Sequence, residues 1–426
     1  MAAIENEDST TAREARSFIQ NARAAAQSLI HVSEETCNAV LNTLAKSLTA
    51  NAAAIQSANA KDLLTGEQKG LSTAMLDRLA LSETRIAAIA DGVRSVLELS
   101  AHLNEELSRY ESPKGILVRR VRVPLGVICI IYESRPNVSI ETAILALKSR
   151  NAIILKGGSE AMHSNAALIS LVRDSLEQHG CDPNSVQLVG ANGREVVNHI
   201  IRQEDGVDLV IPRGGEGLIR AVSEAARVPV LKHYKGVCHV FVDSSADVEA
   251  ALRICENAKC QRPSVCNAAE TFLIHKDVAS ELLPKLGEKL HDRGVEIRGD
   301  ANTLQLVPKA KPAHEEDWSE EYLDLIVSIK IVQDIDEAIS HINRYGSHHT
   351  DAILSREAKN LDRFTQEVDS GSIMRNTTTR FSDGFEYGLG AELGISTDKV
   401  HARGPMGLEG LTTYKWIVES DGVIRE

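Results

Sequence analysis

The chain has 426 residues, of which 43% are hydrophobic and 25% are charged, so it can bury the cores of two or three domains and is neither disordered nor a small disulfide-stapled scaffold. Its 60 acidic and 47 basic residues give a net charge of −13, and only 4% of its residues are aromatic. A chain without excess cations or base-stacking aromatics is not expected to bind nucleic acid.

Three helices are predicted in the first hundred residues, because alanine, leucine and isoleucine recur there at helical spacing. They cover Ala12–His31, Thr36–Ala58 and Glu83–Leu99, and Ser33 and Ser82 are suited to cap the second and third. We therefore expect a helical N-terminal region.

A strand is predicted over Ile116–Val123, where charged and apolar residues alternate. It could form one half of a hairpin. Either it is a solvated edge strand or it contacts another subunit, and the pattern alone favours neither.

Buried strands alternate with helices from Val127 to Met374, which indicates parallel sheets covered by helices on both faces. Gly236 interrupts this alternation, so we predict two α/β units. The predicted strands are Val127–Tyr132, Ala152–Lys156, Val186–Val189 and Val207–Ile211 in the first unit, and Cys238–Val242, Glu270–Ile274, Val295–Arg298, Leu325–Ile331, Asp351–Leu354 and Ser372–Met374 in the second. The glycine-rich tail after Arg380 is irregular, and a last strand is predicted over Leu411–Val418.

Two glycine-containing turns follow predicted strands and open helices, an arrangement that holds phosphate or ribose groups at the carboxyl edge of an open sheet. The first is Lys156-Gly157-Gly158-Ser159-Glu160 and the second is Pro212-Arg213-Gly214-Gly215-Glu216-Gly217. Each alone could be a simple tight turn. Together they favour a nucleotide site.

Cys266 is the thiol best placed for chemistry, because it lies in a polar loop after Gln261-Arg262-Pro263-Ser264, where an arginine favours the thiolate. Cys260 shares that neighbourhood, and Cys266 could also be a structural loop thiol. Three others fall inside apolar strands or a helix and are expected to be buried: Cys129, Cys238 and Cys255.

The seven cysteines are odd in number and include no C-x-x-C pair, which fits free thiols in a reducing compartment better than disulfides or a zinc site. The acidic start of the chain, Met1–Thr11, resembles neither a signal peptide nor a transit peptide. The longest apolar run, Val127–Tyr132, is too short to span a bilayer. We therefore expect a cytoplasmic protein that binds no membrane and no metal.

Arginine and histidine residues collect in loops at the predicted sheet edge and in the glycine-rich tail. They are Arg135, Arg380, His401 and Arg403. Bidentate hydrogen bonds from arginine suit an anionic substrate, so these four are candidates for substrate binding. Any one of them could also be an ordinary surface residue.

Long blocks of the sequence resemble the γ-glutamyl phosphate reductase (glutamate-5-semialdehyde dehydrogenase) family, a divergent branch of the aldehyde dehydrogenase superfamily. The blocks are GLSTAMLDRLAL (70–81), VPLGVICIIYESRPNV (123–138), ILKGGSEA (154–161), LVIPRGGEGLI (209–219), GVCHVFVD (236–243), NAKCQRPSVCNAAETFLIH (257–275) and TRFSDGFEYGLGAELGISTDKVHARGPMGLEGLTTYKW (379–416). They cover almost the whole chain beyond its acidic start, and the last block is too long for a chance match.

The resemblance implies a role for each motif residue. Cys266 becomes the nucleophile and Asn137 the oxyanion donor, although an ungapped alignment with wider superfamily members suggests Arg135 instead. The implied cofactor-binding residues are Lys156 and Ser159 for the adenosine ribose and its 2′-substituent, Gly214, Gly215 and Gly217 for the pyrophosphate, and Glu321 for the nicotinamide ribose.

The implied fold is an aldehyde-dehydrogenase-like α/β fold, with two parallel-sheet domains, a helical N-terminal region and a small β oligomerisation element. An NADP-binding domain would comprise residues 1–111 and 124–236, and a catalytic domain residues 237–380. The oligomerisation element and glycine-rich tail would comprise residues 112–123 and 381–426. A homo-oligomer is therefore expected, with subunit contacts at the strands Ile116–Val123 and Leu411–Val418.

The implied activity is the NADPH-dependent reduction of L-glutamyl 5-phosphate to L-glutamate 5-semialdehyde and phosphate through a thioester on Cys266. This would be the second step of proline biosynthesis from glutamate, and a transient contact with glutamate 5-kinase is also implied. Two alternatives stay open: another acylating aldehyde dehydrogenase, and a catalytically silent partner of that kinase.

The glutamate that activates water in hydrolytic aldehyde dehydrogenases has no counterpart here, because the corresponding stretch reads Lys232-His233-Tyr234-Lys235-Gly236. His233 has the intrinsic pKa of a base, but the implied reaction exchanges its thioester with phosphate and not with water. We therefore expect little hydrolysis of the thioester.

Overall fold

The N-terminal region is helical in the computed structural model of the protein, which describes residues 9–190, 193–232 and 235–425. Its helices are α1 (Thr10–Leu29), α2 (Glu34–Ala50), α3 (Ala52–Gln68), α4 (Thr73–Leu79) and α5 (Glu83–Leu97). The predicted N-caps Ser33 and Ser82 are confirmed, since their hydroxyls accept the backbone N–H groups of Thr36 and Arg85 at 3.1 and 3.2 Å.

The prediction of one helix over Thr36–Ala58 is wrong, because the chain breaks at Asn51 into α2 and α3. Asn51 leaves helical geometry with a ψ of 17°, and its side-chain amide donates to the Ser47 carbonyl at 2.8 Å. Asparagine readily forms such local side-chain bonds in place of a continuing helix.

Two antiparallel strands follow the helical region, β1 (Glu106–Glu111) and β2 (Leu117–Pro124). They are joined as a hairpin, so the strand predicted over Ile116–Val123 is one half of it. The domain boundary predicted at residue 111 assigns β1 to the NADP-binding domain, although β1 pairs with β2 of the small β element.

Four parallel strands form the next sheet, in the order β5-β4-β3-β6. The strands are β3 (Val127–Tyr132), β4 (Ala152–Gly157), β5 (Val186–Leu188) and β6 (Leu209–Arg213), and the helices are α6 (Asn137–Lys148), α7 (Met162–Gln178), α8 (Arg194–Arg202) and α9 (Glu216–Ala225). Every residue of β3 is buried, which explains its continuous apolar sequence. Because the strand order reverses at β3, the carboxyl ends of β3 and β6 form a topological switch point, where open α/β sheets bind ligands.

Seven parallel strands form a second sheet, in the order β10-β9-β11-β8-β7-β12-β13. The strands are β7 (Cys238–Val242), β8 (Ala269–His275), β9 (Glu296–Gly299), β10 (Lys311–Pro312), β11 (Ile326–Val332), β12 (Thr350–Leu354) and β13 (Ser372–Arg375), and the helices are α10 (Val248–Cys260), α11 (Lys276–Asp292), α12 (Thr303–Leu306), α13 (Ile335–Tyr345) and α14 (Ala358–Glu367). Val240 and Phe272 belong to the apolar core on one face of this sheet, while Phe241 and Leu273 belong to the core on the other. Alternation along β7 and β8 therefore fills both faces.

The glycine-rich tail contains the short strands β14 (Ile395–Ser396) and β15 (Gly404–Pro405) and ends with β16 (Thr412–Glu419). β16 pairs antiparallel with β2, which makes a three-stranded sheet in the order β1-β2-β16. The predicted α/β architecture of two parallel sheets, a helical N-terminal region and a small β element is thus confirmed.

The internal contacts of the described residues divide the chain into two units. The first unit falls within residues 1–232, 389–394 and 406–426, and the second within residues 233–388 and 395–405. The four-stranded and three-stranded sheets lie in the first unit and the seven-stranded sheet in the second. In the described ranges, no helix is both long enough and apolar enough to cross a membrane.

Candidate active site

The switch point of the four-stranded sheet brings the loop after β3 against the turn after β6. The backbone N–H of Glu133, which follows β3, donates to the Arg213 carbonyl at 3.1 Å. The Glu133 carboxylate accepts the Gly215 N–H at 2.9 Å, at the N-terminus of α9. A Cβ at Gly214 would lie 2.4 Å from this carboxylate and would displace it. The turn predicted to meet a pyrophosphate, Gly214–Gly217, thus lies at the switch point of the sheet, with all three of its glycines exposed.

Lys156 and Ser159 lie at the carboxyl end of β4, the strand beside β3. Lys156 is nearly buried, and its ammonium donates to the Gly157 carbonyl at 2.6 Å. Burial lowers the pKa of Lys156, and the nearby Glu160 carboxylate opposes that effect. Ser159 is exposed and begins the short 3₁₀ turn Ser159–Ala161 that leads into α7. A cation and a hydroxyl therefore stand at one strand end, as a phosphate or ribose site requires.

A hydrogen bond between neighbouring loops joins these two parts of the sheet edge. Glu160 accepts both the backbone N–H and the hydroxyl of Ser134 at 2.7 Å each. Burial acts to raise the pKa of Glu160, but these hydrogen bonds hold it below its ordinary value. Ser134 has a φ of 36°, an uncommon value for a residue other than glycine. The ionised Glu160 therefore holds the loop after β3 in a strained conformation.

Arg135 lies in the same loop after β3, and Asn137 lies in the helix that follows this loop. Asn137 is the first residue of α6, and its side-chain amide donates to the Glu141 carboxylate at 2.8 Å. Arg135 is exposed in the loop. The role of either residue as oxyanion donor stays a prediction.

Cys266 lies in the loop Gln261–Ala268 between α10 and β8, which we call the Cys266 loop. Its side chain is half-buried, and its carbonyl accepts a hydrogen bond from the Cys238 thiol with an Sγ–O distance of 3.2 Å. A Cβ at Gly236 would lie only 2.1 Å from the same carbonyl oxygen. The backbone of Cys266 is therefore packed tightly against the start of β7.

Arg380 is the arginine that is bonded to the Cys266 loop and interacts electrostatically with the Cys266 thiol. Its guanidinium donates to the Gln261 side chain at 2.8 Å, at the start of the Cys266 loop. Burial and the neighbouring Arg262 lower the pKa of Arg380, while the Asp383 carboxylate and, more weakly, the Cys266 thiol act in the opposite direction. Arg380 therefore interacts electrostatically with Cys266, as expected for a cation that favours a thiolate.

The other thiols are less suited to nucleophilic attack. All seven cysteines are free thiols, and the predicted burial of three of them is confirmed: Cys129, Cys238 and Cys255. Burial raises the pKa of Cys129 and of Cys255 to about 12 and that of Cys238 well above its ordinary value. Burial and the Glu256 carboxylate also raise the pKa of Cys260, so its thiolate is disfavoured.

Glu321 lies close to the Cys266 loop through a shared neighbour. Its carboxylate accepts the Gly236 N–H at 2.8 Å, and Gly236 is the residue packed on the Cys266 carbonyl. Glu321 belongs to the turn before β11, in which Leu323 has a φ of 52°. The residue predicted to hold the nicotinamide ribose is thus linked through Gly236 to the backbone of the predicted nucleophile.

Arg403 and His401 occupy the tail between β14 and β15. Arg403 donates to the Asp369 carboxylate at 2.8 Å, and Lys399 contacts the same carboxylate at 2.7 Å. These hydrogen bonds, from Lys399 first, lower the pKa of Asp369 to about 2. His401 is exposed, with a φ of 76°. The guanidinium of Arg403 is thus already in an ion pair, and substrate binding by either residue stays a prediction.

Two further features were missed by sequence reasoning. One is the Glu133 carboxylate on the α9 turn, and the other is a fully buried ion pair between Lys259 and Glu270, with Nζ and Oε2 2.5 Å apart. No periodic pattern marks either pair, because the partners meet only once the strands are aligned.

His233, considered as a base, lies outside the described residues. Within the described ranges, no group of three or more His, Cys, Asp or Glu side chains is placed to hold a metal ion.

Comparison with known proteins identifies the family. The model of the aldehyde dehydrogenase family matches residues 3–318. A γ-glutamyl phosphate reductase of Geotalea daltonii is 50% identical over 417 residues, which cover 98% of this chain and 100% of that protein. The crystal structure of a γ-glutamyl phosphate reductase from Thermotoga maritima superposes with a TM-score of 0.94 at 43% identity, covering 97% of this chain and 100% of that one.

A more distant structure shares the fold alone. It is a glyceraldehyde-3-phosphate dehydrogenase of Methanocaldococcus jannaschii solved in complex with NADP, with a TM-score of 0.66 at 14% identity, covering 96% of this chain and 94% of that one. The predicted aldehyde-dehydrogenase-like fold and the resemblance to γ-glutamyl phosphate reductases are confirmed by these matches. The chain therefore belongs to the aldehyde dehydrogenase family.

Proposed function

We propose that the protein is a γ-glutamyl phosphate reductase, which reduces L-glutamyl 5-phosphate with NADPH to L-glutamate 5-semialdehyde and phosphate. In the cell this would be the second step of proline biosynthesis from glutamate. The observation that carries the proposal is the full-length match to reductases of that name, 50% identical in Geotalea daltonii, with an intact Cys266 loop. The distant structural matches bear on the fold alone, so they give the alternative acyl substrates no comparable support.

The first chemical step is nucleophilic attack by the Cys266 thiolate on the acyl carbon of the substrate. The C–S bond forms as the C–O bond to phosphate breaks, and phosphate leaves with the electron pair of that bond. Arg380 supports this step, because a guanidinium within electrostatic range favours the thiolate over the thiol. The backbone of Cys266, held by the Cys238 thiol and by Gly236, fixes the direction from which the sulfur attacks.

The residues at the edge of the four-stranded sheet fit a dinucleotide cofactor. Gly214 leaves room for close approach to the turn before α9, and Lys156 and Ser159 offer a cation and a hydroxyl for the adenosine ribose and its 2′-phosphate. Glu321 would hold the nicotinamide ribose through its carboxylate. NADPH, when bound, supplies the hydride that reduces the thioester.

The Cys266 sulfur completes the reaction by leaving as the aldehyde is released. Asn137, or Arg135 in the alternative alignment, would donate a hydrogen bond to the oxyanion that forms at the acyl carbon. The stretch Lys232–Gly236 contains no carboxylate to activate water, which supports exchange of the thioester with phosphate and not with water. Arg380, His401 and Arg403 stay candidates for the substrate's anionic groups.

A second copy of the chain is the proposed partner at the three-stranded sheet. Alternate residues of its edge strand β16 are large, apolar and about half exposed: Tyr414, Trp416 and Val418. Arg120 of β2 lies over the Tyr414 ring, 4.7 Å from its centroid. Exposed apolar stripes of this kind mark protein–protein contacts. The proposal also includes a transient contact with glutamate 5-kinase. It further includes a cytoplasmic location, which is supported by seven cysteines outside disulfide bonds.

The proposal is tested by comparing Cys266→Ala with the matched control Cys260→Ala. We expect Cys266→Ala to lose turnover by several orders of magnitude, roughly as other enzymes do without their nucleophile, and to retain NADPH binding. Cys260→Ala should behave like the wild type. NADPH oxidation with L-glutamyl 5-phosphate measures turnover, and fluorescence titration measures cofactor binding. If iodoacetamide inactivation followed labelling of Cys260, and Cys266→Ala kept most of its activity, the assignment would be wrong.

A further inference from the structure

The ion pair between Lys259 and Glu270 joins the two ends of the Cys266 loop. Lys259 is the second-to-last residue of α10, and Glu270 is the second residue of β8. Their charged groups, Nζ and Oε2, are 2.5 Å apart, and both side chains are fully buried. The reaction proposed above uses neither residue.

The same pair also binds the turn that carries Glu321. The second carboxylate oxygen of Glu270, Oε1, accepts the Leu323 N–H at 3.3 Å. The Lys259 ammonium lies 6.0 Å from the centroid of the Tyr322 ring. The Glu270 carboxylate therefore contacts the turn Glu321–Leu323, and the Lys259 ammonium lies at the outer limit of a cation–π distance from its Tyr322 ring. The turn is held in an unusual conformation at Leu323.

The Glu321 turn is connected to the backbone of Cys266 through Gly236. Glu321 accepts the Gly236 N–H at 2.8 Å, and Gly236 packs against the Cys266 carbonyl. The contacts thus form a closed ring, which runs from the Cys266 loop through the ion pair to the Glu321 turn and returns through Gly236. Within this ring, the ion pair is the link that spans from the ends of the loop to the turn.

A contribution to folding stability does not by itself explain why charges are buried at this point. Removing two charges from water carries a large cost, and replacing a buried ion pair with apolar residues of similar volume is often neutral or stabilising. A fixed ion pair does impose a geometry, because each charge must meet its partner at a set distance and angle. The ring therefore points to a role in positioning.

We propose that Lys259 and Glu270 are positioning residues, which hold the carboxylate of Glu321 in a fixed relation to the thiol of Cys266. This inference rests on the proposed function, in which Cys266 is the nucleophile and Glu321 binds the cofactor. Without the pair, the ring would be open, so that the Glu321 turn and the Cys266 loop could shift relative to each other and misalign the nucleophile and the cofactor contact.

The decisive variant replaces the pair by apolar residues of similar size, Lys259→Met with Glu270→Leu. We expect it to unfold at or above the wild-type temperature, because no unpaired charge is left buried. Its kcat should nevertheless fall roughly 10- to 100-fold, as displacements of about 1 Å at a reacting group can do. Wild-type stability together with wild-type kcat would overturn the proposal.

A double-mutant cycle shows whether the pair acts through Glu321. Glu270→Gln keeps the shape and removes the charge, so it remains informative if the apolar variant fails to fold. If the pair acts through Glu321, adding Glu270→Gln to Glu321→Gln should lower kcat by less than twofold further, since contacting residues are not additive. A full multiplicative loss in the double variant would contradict the inference.

The control and a second measurement separate this inference from the proposed function. Lys289→Met removes another ion pair anchored on α10, the 2.9 Å contact with Glu256, and should leave every measurement unchanged. The rate of Cys266 alkylation by iodoacetamide needs no turnover, and we expect it to change at least about threefold in the apolar variant and in Glu321→Gln. If the wild type failed to reduce L-glutamyl 5-phosphate, the proposed function would fall. An alkylation rate unaltered by either variant would instead refute the positioning role.

Discussion

One methyl group added at Gly236 should impair catalysis, because it would displace the backbone of the proposed nucleophile. In Gly236→Ala the new Cβ would lie 2.1 Å from the Cys266 carbonyl oxygen and 2.7 Å from both its carbonyl carbon and its Cα. Non-bonded heavy atoms prefer separations of roughly 3.5 Å or more. All three contacts are to backbone atoms, so no rotation of a side chain can relieve them, and the Cys266 backbone must withdraw by about 1 Å or more.

The size of the effect follows from that displacement. A shift of about 1 Å in a reacting group can cost roughly 10²-fold in rate, which corresponds to about 2.7 kcal/mol of activation free energy. Overpacking of this kind also destabilises proteins by about 1–3 kcal/mol. We therefore expect Gly236→Ala to be a folded protein with a kcat about 100-fold below the wild-type value.

The assay is NADPH formation from glutamate 5-semialdehyde, NADP+ and phosphate, together with thermal unfolding. The matched control is Gly92→Ala, because nothing lies within 4 Å of a Cβ at this position in the interior of α5. It should keep the wild-type kcat and gain about 0.5–1 kcal/mol of stability, as alanine does over glycine in a helix. A kcat within twofold of the wild type in a folded Gly236→Ala would refute the argument that this contact positions Cys266.

Three further predictions concern the cofactor, the acceptor of the thioester and the assembly. Lys156→Ala should raise the KM for NADPH far more than the KM for NADH, because the lysine is proposed to meet the 2′-phosphate; steady-state kinetics with both cofactors measures this, and equal changes would assign the lysine another role. Oxidation of glutamate 5-semialdehyde should require inorganic phosphate and yield little free glutamate without it, whereas sustained turnover to glutamate in phosphate-free buffer would reveal a hydrolytic base. Trp416→Lys should lower the oligomer mass in light scattering by placing a charge on the apolar stripe of β16, while Lys415→Ala should not; an unchanged mass in Trp416→Lys would show that the subunits meet elsewhere.

The parallel sheets could be predicted closely because their strands are buried on both faces. β3 and β7 begin and end at the residues that the apolar runs indicate, Val127–Tyr132 and Cys238–Val242. The break between α2 and α3 could not be predicted, because asparagine is tolerated inside helices and its bond to the Ser47 carbonyl forms only in the folded turn. The short α4 likewise has too few residues to show a helical period.

The candidate site, like the fold, could be predicted only in part. The turn before α9 and the Cys266 loop could be found from residues adjacent in sequence, since glycine, proline and arginine mark them. Contacts made across the fold could not be found. Lys259 meets Glu270 over an intervening loop, and Glu133 meets Gly215 across a gap of 82 residues. Such pairings depend on how separate helices, strands and loops pack against one another, which no local pattern encodes.

The pairing of β2 with β16 has a consequence for how the chain is made. Arg119 and Glu419, hydrogen bonded at 3.0 Å across this pair, are 300 positions apart. At ribosomal rates of about 5–20 residues per second, the edge of β2 that pairs with β16 stays unpaired for roughly 15 to 60 s. During that interval its unpaired backbone groups can template the wrong neighbour, including β2 of another nascent chain. The three arginines of β2, Arg119, Arg120 and Arg122, would then keep two such edges apart by charge repulsion, so the strand carries its own protection until β16 emerges.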